Sequence, residues 1–219
     1  MSLAVNTQVM DTLEVFAKKA ADELRVCISS AELDNYKHFL DVMYHYTSGS
    51  ETMLKDAANC SENSEIKEFL NHMAKEERGH YIIAREDLKA LGHDVSETPP
   101  GVVYEFRKNW QELSKKGVFG YLGAIYVFEN VAKYLQKEGR EMLQRLNLTK
   151  VQSRWIAVHL EADLEHGEEI KEICDKFQHE NPEEMQRGAN IMYASWVNVF
   201  EHAFSKTLET NNVRLSNVG

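Results

Sequence analysis

Apolar residues recur at helical spacing along almost the whole chain, so the pattern predicts a row of helices. Val9, Leu13, Phe16, Ala20, Leu24 and Cys27 mark a first helix from Val9 to Cys27, with Ser29 and Ser30 as its stop and the next cap. A second is predicted from about Ala31 to Asn59, bent near Thr47–Ser50, where Gly49 and two serines weaken it. A third runs from Ser64, its candidate cap, to Gly92. Pro99 and Pro100 make the stretch from Gly92 to Gly101 a loop. A fourth helix reaches about Lys116, a fifth spans Val118 to Lys137, and a short segment extends to Leu146. A long helix from Thr149 to Gln178 follows. The last opens with Pro182 at its first position and turns Met192, Trp196, Phe200 and Phe204 inward. The fold class is all-α, a bundle of about seven helices in a single domain over residues 1–219.

The pattern is broken at informative places. The inward stripe of the Thr149–Gln178 helix reads Val151, Trp155, His159, Asp163, His166, Ile170, Cys174 and Phe177, and its middle three members are ionisable. The third helix repeats the anomaly, with Glu77 and His80 in the middle of Ile66, Leu70, Met73, Ala84, Leu88 and Leu91. Their i, i+3 spacing places both over one turn, and Glu76 stands beside them as a ligand or as a hydrogen-bond partner of one. In the fifth helix Glu129 is the only charged residue between Val118 and Ala132, with no evident buried Arg or Lys to pair with it. Burying such groups is costly unless something neutralises them together, and divalent metal does so through imidazole and carboxylate.

Composition narrows the reading. The chain has 219 residues, 43% hydrophobic and 27% charged, enough for one domain with a real core. Its net charge of -10, with Lys and Arg scattered among acids, argues against a nucleic-acid surface. No apolar run is long enough for a bilayer, and no secretory signal is evident at the start. Three separated cysteines give neither a disulfide framework nor a CxxC site, which suits a reducing cytoplasm.

The candidate metal ligands are therefore Glu77, His80, Glu129, His159, Asp163 and His166, three carboxylates and three imidazoles on three helices. Two divalent ions would balance them and leave charge for an anionic substrate or oxygen species. Mixed nitrogen and oxygen donors without cysteine point to two Fe2+ ions, with Mn2+ next and zinc as a third alternative. His45 is an alternative ligand on the second helix. His72, His93 and His179 read as solvent or loop histidines, and His202 as structural.

FLDVMYHYTSGS, KEERGHYIIAREDLKALG, GYLGAIYVFENVA and HLEADLEHGEEI together resemble the heme-oxygenase-like diiron oxidases and oxygenases, within the superfamily of heme oxygenase, TenA and PqqC. The HxxxDxxH run is the most specific element. The resemblance implies a heme-oxygenase-like bundle with Glu77 and His80 on one metal helix, Glu129 on the next, and His159, Asp163 and His166 on the last. Some members use a longer Glu-to-His spacing, but Met73 stands seven before His80, so the first carboxylate is either Glu77 or a residue of the second helix. A heme oxygenase would need an early proximal histidine, and none precedes His38; a TenA thiaminase would need a cysteine between Cys60 and Cys174. The implied function is O2-dependent oxidation of a small organic substrate such as a fatty acid, amino acid or aromatic acid. The alternatives are a metal-free TenA- or PqqC-like hydrolase, oxidase or binding protein, an iron store, or an interaction module. Expected partners are the small-molecule substrate and O2, with no nucleic acid and no membrane, and homodimerisation is expected from fold analogy alone.

Overall fold

The computed structural model describes residues 3–205, and the apolar stripes there fold into ten α-helices and one 3-10 turn. In chain order these are α1 (Leu3–Ser30), α2 (Leu33–Thr47), α3 (Ser50–Asn59), α4 (Ser64–Glu76), α5 (His80–Ala90), α6 (Gly101–Lys116), α7 (Val118–Asn130), the 3-10 turn Ala132–Tyr134, α8 (Gln136–Arg145), α9 (Arg154–Phe177) and α10 (Pro182–Ser205). None of the helices is long and apolar enough to cross a membrane among the described residues.

The count exceeds the seven expected because three predicted helices are interrupted. The second breaks at Ser48 and Gly49, and there Arg107 of α6 reaches in. Its guanidinium donates to Ser48 Oγ (2.8 Å), the Tyr46 carbonyl (3.3 Å) and the His45 carbonyl. It thereby satisfies acceptors that the end of α2 leaves open. The third breaks between Glu77 and Gly79, where Gly79 takes φ of 89°, a left-handed conformation that glycine adopts without strain. The fifth ends at Asn130 rather than Lys137. The Asn130 side chain donates to the Tyr126 carbonyl (3.0 Å) and across to the Gly167 carbonyl of α9 (3.2 Å).

Three helix starts differ from the sequence reading. Ser29 and Ser30 still belong to α1, and Glu32 rather than Ser30 caps α2. Asn63, not Ser64, caps α4, accepting from the backbone N–H groups of Glu65 (3.0 Å) and Ile66 (3.2 Å). The long helix begins at Arg154, after a turn that leaves Val151 57% exposed, so Val151 is not part of the inward stripe. Its start is held from a distance: Asp87, fully buried on α5, accepts from the Trp155 N–H (2.7 Å) and from the Arg154 guanidinium (3.0 Å). Asp87 thus fixes α9 against α5 at the end nearest His159.

The core is organised around α7, where all residues except Phe119 and Phe128 are buried. α10 crosses it at very close range. A methyl group on Gly123 would collide with the Met185 carbonyl, and one on Gly188 with the Gly120 carbonyl. Small residues at the crossing let two backbones touch, which fixes where Glu129 stands relative to the rest of the bundle. Gly123→Ala should lower stability by about 1–3 kcal/mol in urea unfolding. Gly101→Ala, with open space around its Cβ, should stay within about 0.5 kcal/mol of the parent; an equal response of the two variants would contradict the close crossing.

Candidate metal centre

All six candidate residues face one another in the interior, and they fall into two groups of three. Glu77, His80 and His159 each offer a ligand atom within 4.8 Å of the others, and so do Glu129, Asp163 and His166. The first group joins the α4–α5 break to α9, and the second joins α7 to α9. The Glu77–Gly79 break matters here: Glu77 ends α4, His80 begins α5, and their side chains still meet, His80 Nδ1 lying 3.2 Å from Glu77 Oε1.

The histidines are oriented for ligation. His159 Nδ1 donates to the Trp155 carbonyl (2.7 Å) and its ring stacks on Trp155 at 3.8 Å between centroids. Its Nε2 is therefore the free acceptor of the neutral ring. His166 donates from Nε2 to Glu76 Oε2 (2.9 Å), turning Nδ1 toward Glu129 Oε2 at 3.5 Å. The Nδ1 atoms of His80 and His166 are both buried without a hydrogen-bond partner. Orphaned nitrogens facing carboxylates are what a divalent ion would join, so the donor set fits such a group.

The electrostatics show how the chain tolerates this cluster. Burial pushes Asp163 well above the usual carboxylate range, and the charges of Glu129 and Glu77 push it further. Burial likewise raises Glu129, only partly offset by His166. For His166 burial works downward, but Glu129, Glu77 and Asp163 outweigh it and lift the imidazole to about 10. Burial lowers His159 to about 4, leaving it neutral. Glu77 is also disfavoured by burial, yet the neighbouring imidazoles His80, His159 and His166 hold it below its ordinary value.

Other sequence expectations land elsewhere. His45 is not in either group; it bonds Ser96 Oγ (2.9 Å) in a buried cluster with Asp41, which pins the 91–100 loop to α2. Glu77 lies in the first group, and no residue of α2 lies in either. His38 Nδ1 donates to the Ala203 carbonyl (2.8 Å), a structural role. Glu161 and Glu165 are exposed. Glu129 has a partner that the sequence left unnamed, His166. His72 is half exposed and lies 3.5 Å from Glu76 and 3.8 Å from Glu169 at the surface side of His166.

Beside the six residues lies a chamber with about 810 Å³ of free space, its mouth included. Glu77, Glu129, His159 and Asp163 form its polar end, and Phe39, Leu135, Met142, Trp196, Phe200 and Phe204 are among its apolar walls. Phe128, Trp155 and Trp196 also line it, whereas Ile125 faces a separate smaller space. No lysine or arginine lines the chamber among the described residues.

An all-α bundle of this arrangement is a heme-oxygenase-like fold, as comparison with solved structures shows. A domain of unknown function with a heme oxygenase-like fold from Shewanella denitrificans matches with TM-score 0.72 and 19% identity, over 94% of this chain and 93% of that one. A TenA homologue from P. horikoshii matches at 0.70 and 17%, over 91% and 97%. A CADD-like protein of unknown function from Nostoc punctiforme matches at 0.70 and 16%, over 93% and 96%. No curated protein matches the chain. A family model described as "Iron-containing redox enzyme" matches residues 37–196, and the chain belongs to that family. The matched span contains all six residues.

Two outcomes test the geometry. Glu76→Ala should weaken divalent-metal binding by about 10–100-fold, since His166 loses the acceptor that orients it; unchanged affinity by calorimetry would remove that role. Loading should also release a proton, because His166, lifted to about 10 by Glu129, Glu77 and Asp163, holds one at neutral pH in the metal-free chain and must lose it to bind. Affinity should therefore fall as pH drops, and calorimetry in buffers of different ionisation enthalpy reads the proton count directly.

Proposed function

We propose that this protein holds two ferrous ions between the α4–α5 break, α7 and α9, and uses them with dioxygen to oxidise a small organic substrate. The observation that carries the reading is the pairing of two three-residue groups at the polar end of one apolar chamber. Membership of a family of iron-containing redox enzymes supports iron over other divalent ions, and the absence of cysteine from either group favours it over thiolate chemistry.

In this reading Glu77, His80 and His159 hold one ion, and Glu129, Asp163 and His166 hold the other. Bound ferrous iron supplies the electrons for dioxygen reduction and an electrophilic site for the substrate's polar end. The chain supplies the rest. The Trp155 carbonyl and Glu76 fix the ring orientations of His159 and His166. The aromatic and aliphatic walls exclude water around the reacting atoms. Because no Lys or Arg among the described residues lines the chamber, an uncharged substrate body with its polar group at the centre fits best. A lipid or aromatic acid meets that requirement. An amino acid brings an ammonium group whose only charged partners there are the carboxylates of the centre itself.

Anaerobic ferrous titration followed by oxygen exposure tests the assignment. Saturation should come at about two irons per chain, with a transient visible band on oxygen addition. His159→Ala should lose the band and bind fewer ions. Saturation at about one iron would indicate a mononuclear site, and no uptake would leave the fold without this function.

A further inference from the structure

A third group of metal-ligating side chains stands outside the six. His72 and Glu76, one turn apart on α4, and Glu169 on α9 each offer a ligand atom within 4.8 Å of the others. His72 Nε2 lies 3.5 Å from Glu76 Oε2 and 3.8 Å from Glu169 Oε2, longer than hydrogen bonds. Neighbouring donors around an ion with bonds of about 2.1 Å stand roughly 3–3.5 Å apart, close to that spacing. Glu169 Oε2 is itself buried and has no hydrogen-bond partner among the described residues. The two lysines that follow it on α9 are engaged elsewhere, Lys171 with Glu168 (3.3 Å) and Lys176 with Glu65 (2.7 Å). On its outer side the group is open: His72 is half exposed, and with Glu169 it lines a surface groove that Glu65 and Glu172 also line. On its inner side the same Glu76 oxygen accepts from His166 Nε2 at 2.9 Å, and His166 is only 5% exposed.

We infer that His72, Glu76 and Glu169 form an outer site for a divalent cation, the station from which ions pass to the buried centre. The passage rests on the metal-holding reading above, whereas the outer site stands on its own geometry. One imidazole and two carboxylates repeat the donor types of the inner groups, so an ion suited to one suits the other. An ion-pair cluster accounts for these residues less well. Even a charged His72 brings one positive charge to two carboxylates, and it leaves Glu169 Oε2 without a hydrogen bond. Acids along the groove raise the local concentration of cations, and solvent at the half-exposed site keeps binding loose enough for release. Glu76 joins the two stations. An ion leaving His72 and Glu169 while still held by Glu76 has His166 as its next imidazole.

Co2+ alone tests the outer site. Crystals soaked in millimolar Co2+ should show an anomalous peak between His72 Nε2 and the carboxylates of Glu76 and Glu169, and His72→Ala should abolish it. No peak there while the inner centre fills, or a peak that persists in His72→Ala, overturns the site. Loading rate tests the passage. On rapid mixing with Co2+, quenching of tryptophan fluorescence reports arrival at the centre, since Trp155 stacks on His159. His72→Ala combined with Glu169→Gln should slow loading on the order of tenfold, with the final inner stoichiometry unchanged. Loading as fast as the parent's in the folded double variant overturns the passage and marks the outer ion as adventitious. An outer peak beside an empty inner centre supports the outer site while removing both the passage and the metal-holding reading.

Discussion

Six ionisable side chains meet inside an apolar bundle, and that is the constraint around which the rest of the molecule is arranged. Isolated buried charges of this kind are prohibitively costly, so a chain that buries three carboxylates together must neutralise them. Without metal the neutralisation is visible in protonation: Asp163 and Glu129 are pushed toward their neutral forms, while His166 keeps its proton against Glu129. This arrangement is a compromise, since two imidazole nitrogens remain buried and unpartnered. Each of these atoms faces a carboxylate of its own group, His80 Nδ1 at 3.2 Å from Glu77 and His166 Nδ1 at 3.5 Å from Glu129.

Holding such a cluster requires that the backbones around it be placed firmly, and three devices do this from outside the ligand set. Asp87 on α5 accepts from the Trp155 N–H and the Arg154 guanidinium at the start of α9 and so sets the height of His159. Asn130 ties the end of α7 to Gly167 on α9, one residue after His166. The glycine crossing of α7 and α10 sets the depth of α7, and with it Glu129. Each device is a buried polar contact or a backbone approach that tolerates little displacement. The ligands themselves need no unusual backbone, apart from the Gly79 turn that separates Glu77 from His80.

The parts legible in the sequence are those in which helical periodicity survives. His159, Asp163 and His166 occupy consecutive inward positions of an unbroken helix, so their anomaly was visible as three polar residues in an apolar stripe. Glu129 was visible for the same reason in α7. The break at Glu77–Gly79 was not, because the apolar positions on either side stay nearly in phase across it, and one glycine among helix-forming residues is weak punctuation. The end of α7 was hidden by the short 3-10 turn, which prolongs the apolar pattern without prolonging the helix. Long-range partners were hidden altogether. Nothing local marks Asp87 as the cap of α9, Arg107 as the cap of α2, or Glu76 as the partner of His166 in preference to a ligand. The use of the α7 glycines in a crossing depends on α10, far away in sequence.

The division of the interior follows from the same geometry. Glu77 and Glu129 each follow an apolar residue by one turn on their own helix stripe. Met73 precedes Glu77 by one turn and Ile125 precedes Glu129 by one turn; both face the smaller space rather than the substrate chamber. The residues after the carboxylates, such as Val131 and Ala132, face the larger one. The carboxylates therefore form a partition, with apolar space on each side, as a consequence of helical spacing rather than of a separate design feature.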